Sequence, residues 1–214
     1  MIPVAKQNEP PRFEGKVRTP GKVFLRTCPS PHGKEWKKHE YWQAISNEMY
    51  QLYQGVCAYT GAWFSKTPAQ DRFRPSIDHF WPRSKYPHLA YEWSNYRLAI
   101  QQVNKYKGAH DDLADPFTIQ FGWFVLLLPS CLIKPGGHVS QQEREMIDRT
   151  IATLKLNDDE GFVDLRQNII QSYIDGSCRP EDMRCKYPFV AYELERQDLF
   201  DREKLKLVFK TLPT

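Results

Sequence analysis

Ser76 to Phe80 reads as a short β-strand that Pro82 must end, because proline has no amide hydrogen to offer a neighbouring strand. This strand restricts the fold more than any other stretch, since it carries an acid and an imidazole side by side, Asp78-His79. Neighbouring side chains on a strand point to opposite faces. If both are to serve one cleft, a local bend or hairpin loop must turn them together. Downstream come Asn95, within Trp93-Ser94-Asn95-Tyr96, and Asn104, followed by Lys105-Tyr106-Lys107-Gly108. No other segment suggests a specific reaction.

Around this strand the pattern is mainly helical. Trp42, Ile45, Met49, Leu52 and Val56 recur at three- and four-residue steps and predict a helix over 35–54, with Gly55 as its stop. A short helix is expected within 94–106. Ser140 and Glu143 stand at capping-box spacing and open a helix over 140–156, whose apolar face is Met146, Ile147, Ile151 and Leu154. A second helix is expected over about 159–175 and a final one over 193–206. Phe121 to Leu127 suits a buried strand or a helix segment, and periodicity alone does not choose between them. The expected fold is α+β and mainly helical. Residues 1–34, rich in proline, glycine and basic residues, read as an extended arm with a short strand at Val23-Phe24-Leu25. Residues 35–112 form the core with its leading helix, and 113–214 a helical extension packed on that core as one unit.

The 214 residues suffice for one good-sized domain, and a net charge of +4 suits a polyanionic partner without requiring one. Five cysteines, an odd count without any Cys-x-x-Cys pair, argue against a disulfide scaffold and a four-cysteine zinc site. The N-terminus lacks a signal-peptide apolar core, and the longest apolar run, Phe121 to Leu128, falls far short of the ~20 residues a bilayer needs. A cytoplasmic protein with reduced thiols and no membrane partner is expected.

Phosphodiester hydrolysis needs a deprotonated water, stabilisation of added negative charge, and a neutralised leaving oxygen. Histidine suits the first task. A hard divalent cation suits the other two, and Mg²⁺ keeps several waters, so few protein oxygens are required. Asp78 offers a carboxylate, Asn104 an amide oxygen from a helix, and Asn95 side-chain hydrogen bonds that hold the loop around His79.

In this order, Asp78-His79, Asn95, Asn104 and Lys107-Gly108 resemble the HNH nucleases, whose ββα-metal fold clasps one cation between a hairpin and a helix. The final Asn makes it an H-N-N variant, like the HNH domain of the RNA-guided CRISPR nuclease. The resemblance implies that His79 is the general base and that Asp78 and Asn104 are metal ligands, with Asn95 as support at the catalytic centre. Mg²⁺ is the implied cofactor, and Mn²⁺ substitutes for it. Arg83, Lys85, Arg97, Lys105 and Lys107 are the implied nucleic-acid-binding rim. His88 and His110 are expected to be structural.

A longer stretch, His79-Phe80-Trp81-Pro82-Arg83-Ser84-Lys85-Tyr86-Pro87 and then Tyr91-Glu92-Trp93-Ser94-Asn95, is similar to HNH proteins of prokaryotic anti-phage systems. These include the Septu nuclease subunit and retron-linked HNH effectors. That similarity implies a DNA-cutting effector nuclease, with RNA still open as substrate, and a protein partner such as an ATPase or a second copy of the chain. Those relatives carry a structural zinc on two Cys-x-x-Cys pairs. The matching positions here are Cys57, Thr60, Ile100 and Val103, so no structural zinc is expected and an apolar plug takes its place. The alternative reading is a module on the same scaffold that binds nucleic acid or a partner without cutting.

Overall fold

The computed structural model describes residues 1–158 and 160–210. The fold is α+β, about half of it helical, and its described strands form two small antiparallel sheets. Two compact units emerge. One comprises residues 5–57 and 64–112; the other comprises residues 1–4, 58–63 and the chain from Leu113 onward. No helix among the described residues is long and apolar enough to cross a membrane.

The first unit begins with a π-type stretch, Glu14–Arg18, running into α1 (Thr19–Thr27). The expected extended arm is therefore helical here, and Val23 to Leu25 is not a strand. Pro20 follows the π-type stretch, at the second position of α1, and the helix runs on through it. Phe13, Val17 and Phe24 fall at helical steps and are buried. Gly21 shares that face because a Cβ there would lie 2.1 Å from Cγ of Tyr91.

The expected helix over 35–54 is three pieces: α2 (Gly33–Lys38), a 3-10 turn (Tyr41–Ile45) and α3 (Ser46–Leu52). The break at His39 and Glu40 turns Trp36 and Trp42 onto the same ring, Tyr91, at 6.2 and 5.8 Å. Tyr91 also donates its hydroxyl to the carbonyl of His39, which the interrupted helix leaves over. Trp42, Ile45 and Met49 are buried as their spacing predicts, whereas Leu52 is exposed.

Next come β1 (Pro75–His79), β2 (Tyr96–Ile100) and α4 (Gln101–Lys107). The strands pair antiparallel, with Asp78 opposite Arg97 and His79 opposite Tyr96. The short helix expected within 94–106 is α4, and the residues just before it form β2, every residue of which is buried. Gly108 ends α4 at φ +50°, a conformation open to glycine. Cys57, Ile100 and Val103 are buried, and the Ile100 amide approaches Cys57 Sγ at 3.5 Å.

The second unit contains β3 (Phe124–Leu127), β4 (Leu132–Pro135), α5 (Gln141–Thr153), α6 (Glu160–Ile174), α7 (Pro180–Lys186), α8 (Pro188–Arg196) and α9 (Arg202–Lys210). The capping box of α5 forms in both directions, Glu143 N–H to Ser140 Oγ and Ser140 N–H to Glu143 Oε2. The helix expected over 193–206 is interrupted. Asp198 takes φ +57° and Leu199 N–H returns to the Leu194 carbonyl, a helix-ending pattern that stops α8 before α9 begins. Of the segment Phe121 to Leu127, residues 124–127 are strand β3 and 121–123 a turn before it, and side chains close both edges of the β3–β4 hairpin. Glu193 accepts from Leu126 N–H and Gln197 donates to Leu126 O, while Asn157 bonds both N–H and O of Ile133.

Candidate active site

The loop between β1 and β2 is tied by one amide. Asn95 Oδ1 accepts from the Trp81 N–H at 2.7 Å, and its Nδ2 donates to the carbonyls of Trp81 and Leu89. The backbone carbonyl of Asn95 also accepts from Phe80 N–H, one step past the paired strand. Asn95 is almost wholly buried, so these bonds form where water does not compete. Its sequence-derived role as support matches its position. It acts on the loop and not on a reacting atom.

His79 ends β1 beneath this loop. Its Nε2 lies 2.9 Å from the carbonyl of Ala90, which can only accept, so Nε2 carries the hydrogen and Nδ1 is the basic nitrogen. The Tyr96 hydroxyl donates to the same carbonyl at 2.7 Å. Trp42 and Tyr96 stand edge-on to the imidazole, with ring centroids at 4.7 and 5.1 Å. Burial, reinforced by the positive charge of Arg83, pushes the imidazole down to about 3. His79 is therefore neutral at any ordinary pH, as a proton acceptor must be.

Asp78 is also buried, and its Oδ1 lies 3.2 Å from Lys107 Nζ. Lys107 is fully buried and donates a second bond, 2.9 Å, to the backbone carbonyl of His79. One ammonium thus grips both residues of the dipeptide. Asn104, one turn earlier on α4, donates Nδ2 to Ser76 Oγ and to the Ile77 carbonyl, each at 3.3 Å. Since only the NH₂ end can donate to a carbonyl, Oδ1 is at the opposite end of the amide.

Asp78, His79 and Asn104 line one open cleft of about 360 Å³, together with Trp36, Arg83 and Ser84. Both residues of the Asp-His pair border this space, although they hold adjacent positions in β1. Arg83 lies over the rings of Trp36 and Trp42, at 5.5 and 4.8 Å, and faces Glu40 at 3.9 Å. Its guanidinium is shelved on aromatics beside the imidazole.

The expected basic rim divides. Arg83 lines the cleft, Lys105 is exposed, and Lys85 is exposed with Asp111 2.9 Å from its ammonium. Arg97 and Lys107 are not rim residues. Arg97 is buried, donates to the carbonyls of Ser94 and Tyr96, and lies over the Phe80 ring. Lys107 shares the buried face of α4 with Val103, four residues earlier. His110 is exposed, 3.6 Å from Asp112, and His88 is exposed beside Tyr86.

Asp78 and Asn104 supply hard oxygens beside an open cleft, the donor chemistry that Mg²⁺ or Mn²⁺ takes when water fills the remaining positions. Among the described residues no group of three or more His, Cys, Asp and Glu side chains is placed to hold a metal ion. Sequence reasoning missed the aromatic setting of the imidazole, Trp42 and Tyr96, and the Ala90 carbonyl that fixes its tautomer. Trp42 was legible only as part of an apolar stripe. No family model and no curated protein matches this chain.

Proposed function

We propose that this chain is a metal-dependent endonuclease of the HNH type that hydrolyses phosphodiester bonds in DNA, leaving a 5′-phosphate and a 3′-hydroxyl. We further propose that it serves as the effector nuclease of a bacterial anti-phage system. One observation carries the reading: Asp78, His79 with its tautomer fixed, and Asn104 line a single cleft whose walls come from β1, the loop after it and α4. A ββα-metal core is the finer description we propose for β1, β2 and α4.

In this reading His79 takes the proton from the attacking water at Nδ1, while Nε2 stays bonded to Ala90 and fixes the ring. An imidazole with so low a proton affinity is a weak base in the free protein. Negative charge from a phosphodiester offsets the Arg83 charge and raises that affinity when substrate arrives. Arg83, pre-oriented on Trp36 and Trp42, meets a phosphate oxygen. Asp78 and Asn104 hold the cation through their oxygens. A bound Mg²⁺ or Mn²⁺ supplies positive charge to the transition state and to the leaving oxygen. Asn95 keeps the loop closed over His79.

The test is plasmid cleavage across a series of divalent metals, with His79→Ala as the control. Nicking or cutting by wild type that His79→Ala lacks supports the assignment; equal cutting by both overturns it. One observation favours the second reading, a non-cleaving nucleic-acid-binding module: Asp78 already has an ammonium at 3.2 Å. DNA retardation without any nicking in Mg²⁺ or Mn²⁺ would support that reading. A partner, either an ATPase or a second copy of this chain, is also proposed. Light scattering of the protein alone and co-expressed with its genomic neighbour tests it.

A further inference from the structure

The charges around Asp78 give the cleft an order of events. We infer that it takes its divalent cation only together with a phosphodiester, because buried cations of the chain already balance the carboxylate. This rests on the nuclease reading above and adds how the cation is recruited.

Lys107 Nζ stands 3.2 Å from Asp78 Oδ1 in a side chain with no exposure. Arg97, also buried, is directly opposite Asp78 in the strand register, and cross-strand partners share a face of the sheet. Phe80 joins the two cations, with the guanidinium 5.0 Å and the ammonium 5.7 Å from its ring centroid. Arg83 is on the cleft wall as well, its charge partly offset by Glu40 at 3.9 Å. The other ligand, Asn104, is neutral. A dication entering the free cleft therefore meets one carboxylate set among lysine and arginine charges, and the net attraction is small. A phosphodiester meets the reverse: a positive cleft with donors in place. Once its negative charge is present, the cation has a second anionic oxygen and the balance turns in its favour. The coupling is thermodynamic and reciprocal, so the cation tightens nucleic acid by the same factor.

Mn²⁺ is the probe, read through the EPR signal of the free ion. His79→Ala protein is used so that a short DNA oligonucleotide is not consumed, and wild type is titrated without DNA alongside it. The expected result is weak Mn²⁺ binding to either protein alone, tightened roughly ten-fold or more when the oligonucleotide is added. Oligonucleotide affinity measured with Mn²⁺ against EDTA should change by the same factor. Lys107→Met should bind Mn²⁺ more tightly than its parent without DNA, and Lys107→Arg should not; if Lys107→Met does not fold, the comparison with and without DNA decides alone. Equal Mn²⁺ affinity with and without DNA, in a wild-type protein that still cuts plasmid, overturns the inference and leaves the nuclease reading standing. No Mn²⁺ binding under either condition, with no cutting, overturns both.

Discussion

The two hairpins of this chain use buried polar side chains for different ends. Around β3–β4, Glu193, Gln197 and Asn157 terminate on backbone groups of Leu126 and Ile133, closing strand edges that would otherwise invite another strand. Around β1–β2, Asn95 and Asn104 do comparable work on Trp81, Leu89 and Ile77. There, however, Asp78 and His79 also border an open cleft. A hairpin with its polar groups satisfied is scaffolding. One that brings an acid and a neutral imidazole to an open space is where we propose that a substrate binds.

The sharpest way to break this contrast is to remove one polar group from each hairpin and follow both cutting and melting. His79→Ala should lower cleavage by about 10²–10⁴-fold, the contribution typical of a positioned general base. Asn157→Ala should leave cleavage unchanged and lower stability by about 1–3 kcal/mol, because the Ile133 N–H and carbonyl lose their partner. If Asn157→Ala abolished cutting in a folded protein, the division between scaffold and site would fail.

Stability separates the hairpins next. Lys107→Met leaves the Asp78 carboxylate buried without its ammonium and should destabilise by about 3–5 kcal/mol in thermal or urea unfolding. Glu193→Ala should cost about 1–3 kcal/mol, since it removes an acceptor for Leu126 N–H and a partner for the partly exposed Arg196. A Lys107→Met protein as stable as wild type would mean that Asp78 does not depend on that ion pair.

Lys107 also shows what the sequence allowed and where it misled. The acid, the imidazole and both asparagines were legible as a group, because their order and the Pro82 stop needed no knowledge of packing. Arg97 and Lys107 were misread as rim residues because charge suggests exposure. The signal against this lay in spacing: Lys107 is four residues after the apolar Val103, on one helix face, whereas Lys105 is on the other. Arg97 lies in a strand where every residue is buried, and the apolar residues after it, Leu98 to Ile100, are too few to distinguish strand from helix. The arm over 1–34 was misread because its prolines and glycines suggested extended chain, whereas a helix runs across Pro20 and Gly21. The Ala90 carbonyl had no signal at all, since any residue supplies one.

Acid should weaken the β1–β2 hairpin selectively. His79 is held near 3 in the fold and returns to about 6.5 when unfolded. Between those values the unfolded chain binds the extra proton, so stability rises with pH. The contribution is complete above about pH 6.5 and is lost as pH falls toward 3, with a slope from this group of at most about 1.4 kcal/mol per pH unit. Urea unfolding of wild type and His79→Ala across pH 4–8 measures it. A slope as steep in the variant would assign the acid sensitivity to other groups.

The smallest expected effect concerns the rim of the β1–β2 cleft. Lys105 is exposed on the helix face opposite Lys107, so Lys105→Ala should leave the melting temperature unchanged. If Lys105 meets a phosphate, removing it should reduce the salt dependence of DNA binding by about one counterion, a fall of about 0.9 in the slope of log affinity against log salt on duplex DNA. Lys85 gives the internal comparison, because its ammonium is already 2.9 Å from Asp111. Lys85→Ala should change the slope less, since that lysine must first give up a carboxylate to reach a phosphate. Equal slopes for Lys105→Ala, Lys85→Ala and wild type would place the DNA backbone elsewhere and leave Arg83 as the basic group proposed to meet the substrate.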